Sequence, residues 1–287
     1  TRCSRDWSSD VCSSDLGANL PVDDIMMLNV EKYPDEINQE FCTNIVFMDG
    51  PDGPIWGKNN DGNGPPHTIP CIKKVRPKKG IPLVVFTFCG MVSTTDGMNA
   101  EGLAVGHSSV GSVFQQSDYH QNIRLWAYNA LMKSRNTGEF IRNMTAVPLR
   151  GKGYSHVCVD RNGFACSLEA ACPLVQVRMP KSKNGINCVN HYQLSTLKDA
   201  DKRSPEQKLH SLSRQYYLDE IFKEKNVFDL KLMKELLRHH GNPSICGHYQ
   251  KDLLDTEYSM IGLPAQGRIL YVHGKPCESE FLSINID

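Results

Sequence analysis

The stretch Phe41-Cys42-Thr43-Asn44-Ile45-Val46-Phe47-Met48-Asp49-Gly50-Pro51-Asp52-Gly53-Pro54-Ile55-Trp56-Gly57-Lys58-Asn59-Asn60-Asp61 carries two β-rich runs around a knot of turn-forming residues. Thr43–Met48 and Pro54–Lys58 read as strands, and Asp49–Gly53 reads as the turn of a hairpin. Closing the hairpin returns the end of the second run to the start of the first. Lys58 and Asp61, sixteen and nineteen residues beyond Cys42, are therefore expected close to its thiol. A thiol has an ordinary pKa of about 8.5, so a neighbouring cation raises its thiolate fraction near neutrality. If the chain is cut before Cys42, the freed α-amine, with a reference pKa of ~7.7–8.0, can act as general base while Asp61 holds it in place. The hairpin alone fits a plainer reading better: a buried strand cysteine with Lys58 and Asp61 as a rim ion pair, because short constellations recur by chance.

Composition narrows the function classes. The 287 residues hold 32 Lys+Arg against 32 Asp+Glu, a net charge of zero, so no basic excess marks a nucleic-acid or membrane-surface footprint. The longest apolar stretch, Ile81 to Val92, runs for twelve residues, short of the ~20 that a membrane-spanning helix needs. Asp6–Leu16, inside Thr1–Leu16, resembles the translation of a sequencing-library adapter, so residues 1–16 are read as a non-native tail. Residues 17–41 then read as a truncated propeptide-like segment and 42–287 as one catalytic domain, with localisation left open. Setting aside Cys3 and Cys12 leaves nine of eleven cysteines, an odd number with no CxxC pair. Reduced, mostly buried thiols are the expectation, not a disulfide scaffold.

Further strand-like runs are Leu83–Cys89, Leu103–Gly106, Ser155–Val159, Phe164–Leu168, Ile186–Val189, Tyr258–Leu263 and Arg268–Val272. Asn162-Gly163 offers the positive φ of a tight turn between two of them. Helical patterning covers Asn122–Lys133, Pro205–Lys223 and Leu230–His239, the last with Asp229 as N-cap and Gly241 as stop. Leu232, Met233, Leu236 and Leu237 have core spacing, and Trp56 and Trp126 read as packing residues. Strands early, helices in the middle and strands again at the end suggest layered antiparallel sheets with helices outside, not a βαβ alternation.

The order of motifs resembles that of the acyl-coenzyme A:6-aminopenicillanate (isopenicillin N) acyltransferases, a cysteine family among the N-terminal nucleophile (Ntn) hydrolases. It runs from about Asp23 to Phe281: Asp23–Tyr33, Cys42-Thr43, Gly57–Asp61, Gly97–Val105, Asp160–Ala170, Val189–His191, Ser211–Arg214, Ser244–His248 and Gly274–Phe281. The resemblance implies an α+β, four-layer αββα sandwich. It implies Cys42 as nucleophile, exposed by self-cleavage of the Phe41–Cys42 bond, and Asp61 beside the new amine. Asn190 would supply an oxyanion-hole amide, and Arg214 would match a structural and catalytic arginine. Ser109 falls near the second oxyanion position, and Asn59 and His191 flank the motif residues as substrate-side candidates. Two departures stand out: Lys58 replaces a frequent Arg, keeping charge but losing the fork, and Phe41 stands where a small residue is usual. The implied reaction breaks or transfers an acyl amide or thioester of a small molecule, with no metal and no organic cofactor. The alternative is an unprocessed, silent ligand-binding member of the same fold. Lys198–Lys225, polar on its outside, leaves a homo-oligomer open.

Rival motifs are weaker. Gly106–Gly111 has Val110 where a nucleophile elbow needs glycine. Gly57-Lys58 lacks the remainder of a phosphate loop. His239, His240, Cys246 and His248 fit no usual zinc spacing and read as a helix end and turn.

Overall fold

The computed structural model describes residues 21, 29, 41–62, 70–92, 94–248 and 255–286. The adapter-like tail lies outside the described residues, as does the propeptide-like segment apart from Pro21, Asn29 and Phe41.

The decisive hairpin is present. Strand β1 (Thr43–Phe47) pairs antiparallel with β2 (Ile55–Gly62) in the register Thr43↔Asn59 to Phe47↔Ile55. Gly53, at φ +76°, allows the turn to close through its N–H on the Gly50 carbonyl (3.0 Å). Every residue of β1 is buried, because both faces of its sheet are covered. Ile45 and Phe47 pack outward under helices, and Val46 packs inward against a second sheet. Strand β2 runs four residues further than expected, which places Lys58 and Asp61 inside the strand. With a side-chain period of two they point to opposite faces.

The remaining strands are β3 (Pro70–Val75), β4 (Leu83–Phe88), β5 (Asp96–Asn99), β6 (Ala104–Ser109), β7 (Gln121–Asn122), β8 (Leu149–Arg150), β9 (Tyr154–Val159), β10 (Ala165–Ala171), β11 (Leu174–Arg178), β12 (Gly185–Cys188), β13 (Asp255–Leu263), β14 (Arg268–His273) and β15 (Leu282–Asn285). One large sheet has the order β12-β1-β2-β13-β14-β15 and the other β11-β10-β9-β6-β5-β4-β3, while β7 and β8 form a separate parallel pair. The α-helices are α1 (Ile123–Lys133), α2 (Thr137–Thr145), α3 (Pro205–Glu224) and α4 (Leu230–Leu237) among the described residues. Helices α1 and α2 cover the second sheet through Ile123, Leu131, Phe140 and Met144 on Leu83, Val85 and Val105. Helices α3 and α4 cover the first through Leu218, Phe222, Met233 and Leu237. Between the sheets lie Val46, Trp56, Met98, Val157, Met260 and Ile269. The result is a four-layer αββα sandwich.

Caps follow the local chemistry. Asp229 accepts from the Leu232 N–H at the start of α4, Asn122 caps α1, and Ser204 with Gln207 closes a capping box on α3. Gly163 alone supplies the positive φ (+81°) of the Asp160–Gly163 turn. Gly106 is needed for a different reason: a Cβ there would lie 2.1 Å from Asn44 Oδ1 and 2.5 Å from the Trp56 ring. The two sheets touch at this point, directly beside the start of β1.

The sequence reading did not find α2 or strands β3, β5, β11 and β15. Helix α2 is nine residues long and β5 is four, too short for a clear period. Strands β3, β11 and β15 are sheet edges, the first two mostly half-buried and β15 mostly exposed, so their polarity masks them. The Gly106–Gly111 stretch lies mostly in β6, where Ser108 and Ser109 are buried strand residues and no exposed elbow forms.

Candidate active site

Cys42 sits immediately before β1 with 1% of its surface exposed. Its side chain shares the inner face with Asn44, and its Sγ lies 3.5 Å from Asn60 Oδ1 on β2. The surroundings are polar. Asn44 donates to the His107 carbonyl and to Ser108 Oγ (3.0 Å each), and Ser108 Oγ donates to the Cys42 carbonyl at 3.4 Å. Asn60 in turn donates to Glu257 at 2.9 Å.

Arg214, fully buried on α3, gathers this end of the hairpin. Its Nη1 donates to the carbonyls of Phe41 (3.1 Å) and Cys42 (2.8 Å) and to Thr43 Oγ1 (2.7 Å). Its Nη2 donates to Asn190 Oδ1 at 2.9 Å. Four acceptors shared between two nitrogens suit a guanidinium fork, which a lysine cannot present. Burial pulls the Arg214 pKa down to about 10, with Asp61 and Cys42 opposing the shift, so it stays charged at neutral pH. Phe41 packs edge-on to His210, with ring centres 4.9 Å apart, and under the Arg214 guanidinium. The Phe41 carbonyl is thus held against a cation, one bond from Cys42.

Because Arg214 only donates, it must face the Asn190 carbonyl oxygen, which turns the amide Nδ2 to the Ser109 carbonyl at 2.8 Å. Arg203 locks the same corner, donating to the Asn190 main-chain carbonyl and, at 3.1 Å, to the Ser109 main-chain carbonyl. Ser109 enters the site through an acceptor.

Lys58 and Asp61 part company. Lys58 points between the sheets and ion-pairs with Asp96 on β5, both side chains fully buried. Asp96 also accepts from the His107 N–H (2.9 Å), His107 Nδ1 (2.9 Å) and Tyr258 OH (2.8 Å). Burial alone would raise the Asp96 pKa; His107 and Lys58 outweigh it and hold it well below the carboxylate range. Asp61 points the other way, accepting from Thr256 Oγ1 at 2.7 Å, which itself accepts from the Gly247 N–H at 2.9 Å. Burial raises the Asp61 pKa to about 7, with Thr256 and Arg214 pulling against it.

Asn59 and His191 are corrections to the substrate-side reading. Strand alternation turns Asn59 outward, where its amide ties the Leu237 carbonyl (2.8 Å) and the Ile245 carbonyl (3.0 Å) at the end of α4. His191 faces α3, within 2.8 Å of Ser211 Oγ and 2.7 Å of Gln215 Oε1. Both are anchors of the scaffold. The sequence reading missed Asn60, Ser108, Asp96, Arg203, Thr256 and Tyr258. Asp96 stands one residue before the quoted Gly97–Val105 motif, and Asn60 lies inside Gly57–Asp61.

Three buried groups set the acid response. Burial lowers the pKa of His191 to about 4 and of His156 to about 3, so both rings are neutral when folded. Between about pH 4 and 6.5 the unfolded chain binds two more protons at these rings, and the folded chain one more at Asp61. The net is one proton, so these groups make stability fall on acidification across that window by at most about 1.4 kcal/mol per pH unit. The His191→Gln variant should flatten that slope, read from urea midpoints at several pH values; an unaltered slope would mean the folded ring titrates normally.

Two facing antiparallel sheets between helical layers, in this strand order, make the Ntn-hydrolase fold. Residues 48–267 match the profile of the family described as acyl-coenzyme A:6-aminopenicillanic acid acyl-transferase, and the chain belongs to that family. Cys42 precedes the matched range. Among solved structures, a variant of the conjugated bile acid hydrolase from Clostridium perfringens is similar at TM-score 0.58 and 12% identity, covering 85% of this chain and 92% of that chain. The Caenorhabditis elegans ortholog of N-acylethanolamine-hydrolyzing acid amidase is similar at TM-score 0.56 and 14% identity, covering 78% and 93%. At such identities the likeness is one of fold. No curated protein matches the chain by sequence. Among the described residues, no helix is long and apolar enough to cross a membrane.

Proposed function

We propose that the chain is a cysteine amidohydrolase or acyltransferase that cleaves its own Phe41–Cys42 bond and then works through the new N-terminal cysteine. The observation that carries this reading is Arg214, which holds the Phe41 and Cys42 carbonyls and the Asn190 amide at one buried point beside the thiol.

In the self-cleavage, Cys42 Sγ attacks the Phe41 carbonyl carbon. The carbon–nitrogen bond breaks, the nitrogen takes the thiol proton, and water then hydrolyses the Phe41 thioester. Arg214 offsets negative charge on the Phe41 oxygen during the attack. In turnover the Cys42 amine accepts the thiol proton, and the thiolate attacks the acyl carbonyl of the substrate. The ammonium gives its proton to the departing amine, or to the thiolate of a thioester substrate. Water, or an amine acceptor, resolves the acyl-enzyme. Asn190 is the oxyanion donor once substrate draws its amide from the Ser109 carbonyl. The Cys42 amine lies in the sheet backbone while its thiol lies on the inner face. Asp61, on the outer face, would pair with the ammonium without neutralising the thiolate. Every proton and electron pair in this scheme belongs to the chain, the substrate or water, so no metal or organic cofactor takes part.

An apolar hollow of about 250 Å³, lined by Ile72, Phe86, Tyr258 and Tyr271 among others, shares Tyr258 with the Asp96 cluster and suits a hydrophobic acyl group. The substrate class is therefore a small acyl amide or acyl thioester; family membership alone does not make it a β-lactam. Denaturing mass spectrometry of the purified protein tests the reading. A fragment starting at Cys42 is expected, followed by product release in a screen of acyl-amino acids, β-lactams and acyl thioesters. Full-length chain inert to thiol-directed acyl probes would instead mark a silent ligand-binding member.

A further inference from the structure

On the outer side of the first sheet, away from the Cys42 thiol, four soft donors converge. His240 follows the end of α4, Cys246 and His248 lie in the turn after it, and Cys277 comes from the β14–β15 connection. One ligand atom from each lies within 4.8 Å of all the others. We propose that these four residues form a tetrahedral Cys2His2 site for a zinc-type divalent cation.

The geometry suits such an ion closely. With Zn–S near 2.3 Å and Zn–N near 2.0–2.1 Å, a tetrahedron has S···S edges of about 3.8 Å and S···N edges of about 3.6 Å. Cys246 and Cys277 place their sulfurs 3.7 Å apart, and Cys277 Sγ lies 3.3 Å from His248 Nε2. The two imidazoles stand edge to face, with centres 4.7 Å apart. His248 directs its other nitrogen, Nδ1, toward Glu278 at 3.8 Å. A carboxylate behind a histidine is the usual way to fix a ligand's tautomer and ring orientation.

The backbone is built to present these side chains. Both the Ile245 and Cys246 N–H groups donate to the His239 carbonyl (3.0 Å each), folding Cys246 back beside His240. Arg238 donates to the Pro276 carbonyl at 2.8 Å, drawing in the loop that carries Cys277. Thiolates and imidazoles select zinc-like ions over magnesium or calcium. Four protein ligands close the coordination sphere, so the ion is structural and leaves no position for substrate. Binding converts two thiols to thiolates and releases two protons, leaving a neutral centre. Sequence spacing hides the set because its fourth member comes 29 residues after His248.

The ion would pin the turn that holds the active site from outside. Gly247, between two ligands, donates to Thr256, and Thr256 donates to Asp61. The site itself stands whether or not the proposed reaction is correct, because its readout is metal content.

The test uses the whole protein, purified without chelator and with thiols reduced. Elemental analysis should find about one zinc per chain after dialysis. Replacement by Co²⁺ should give thiolate-to-cobalt charge-transfer absorption and tetrahedral d–d bands. Cys277→Ser should weaken the metal by about 100-fold or more, and the exposed His240→Gln, which spares the core, by at least tenfold. Cys89→Ser, at an exposed thiol outside the set, should leave the metal content unchanged. Less than about 0.1 metal per chain with no cobalt–thiolate band in excess Co²⁺ would overturn the proposal. So would bound metal indifferent to both ligand substitutions.

Discussion

Cys42→Ala protein should run as an intact chain, with no fragment beginning at residue 42, and should lose turnover by on the order of 10⁴-fold or more. Both losses come from one atom. In the proposed reaction the sulfur opens the Phe41–Cys42 bond in the precursor and carries the acyl group in the mature enzyme, so alanine would remove two functions together. Folding should be nearly unaffected. The thiol's contact with Asn60 Oδ1 is long, at 3.5 Å, and Arg214 holds the residue by its carbonyl, which alanine retains. Mass spectrometry and thermal melting of the same sample separate the effects. A Cys42→Ala chain still cut after Phe41 would place the nucleophile elsewhere. One that is intact but turns over normally would make the cut irrelevant to the chemistry. Cys42→Ser is the milder companion: its hydroxyl can attempt both steps, but it is a far poorer nucleophile near neutral pH.

The parts of this arrangement that were readable in the sequence are those set by local chemistry. The turn residues Asp49–Gly53 dictated a hairpin, and the hairpin dictated that Lys58 and Asp61 return to the neighbourhood of Cys42. Asp229, as an N-cap, and the Leu232–Leu237 period placed α4. What the pattern does not carry is sidedness. The extent of β2 beyond Lys58 is decided by pairing with β13, a partner some 200 residues away, and that extension puts Lys58 and Asp61 on opposite faces. Asp96 was equally hidden. It sits on a four-residue strand of the other sheet, and only the approach allowed by Gly106 brings that sheet against Lys58. Asn59 and His191 stood next to functional residues in sequence, and neighbours in a strand or extended step point apart. Proximity in a motif is a poor guide to shared function in β-structure, where side chains alternate. The Ser211–Arg214 motif was informative for the opposite reason: three residues apart on a helix, its ends share one face, and both turn toward the first sheet.

That sidedness alters what Lys58 does, and a second substitution series shows it. The sequence alone suggests a free cation that draws out the Cys42 proton. In the folded chain Lys58 is paired with Asp96 and fully buried, and the pair presents almost no net charge to the thiol. Lys58→Met should therefore act first on stability. It strands the Asp96 carboxylate between the sheets, and breaking a buried pair from one side costs about 3–5 kcal/mol. Asp96→Asn should cost a similar amount by stranding the ammonium, although the single asparagine oxygen can still accept from the His107 N–H. The double variant Lys58→Met/Asp96→Asn buries no unpaired charge, so the cycle should show a coupling of about 2 kcal/mol or more in urea melts. Turnover should return with stability, to within about tenfold of the parent, because no charge that the thiol felt has been lost. A double variant that melts like the parent but stays as slow as Lys58→Met would restore Lys58 to the reaction itself. Additive stability losses would mean that the pair does not act as a unit. The measurement would thus sort the cations near Cys42 by role: in the proposed reaction Arg214, whose fork lies on the Phe41 and Cys42 carbonyls, is the one whose charge the chemistry uses, and Lys58 would be the bolt between the sheets.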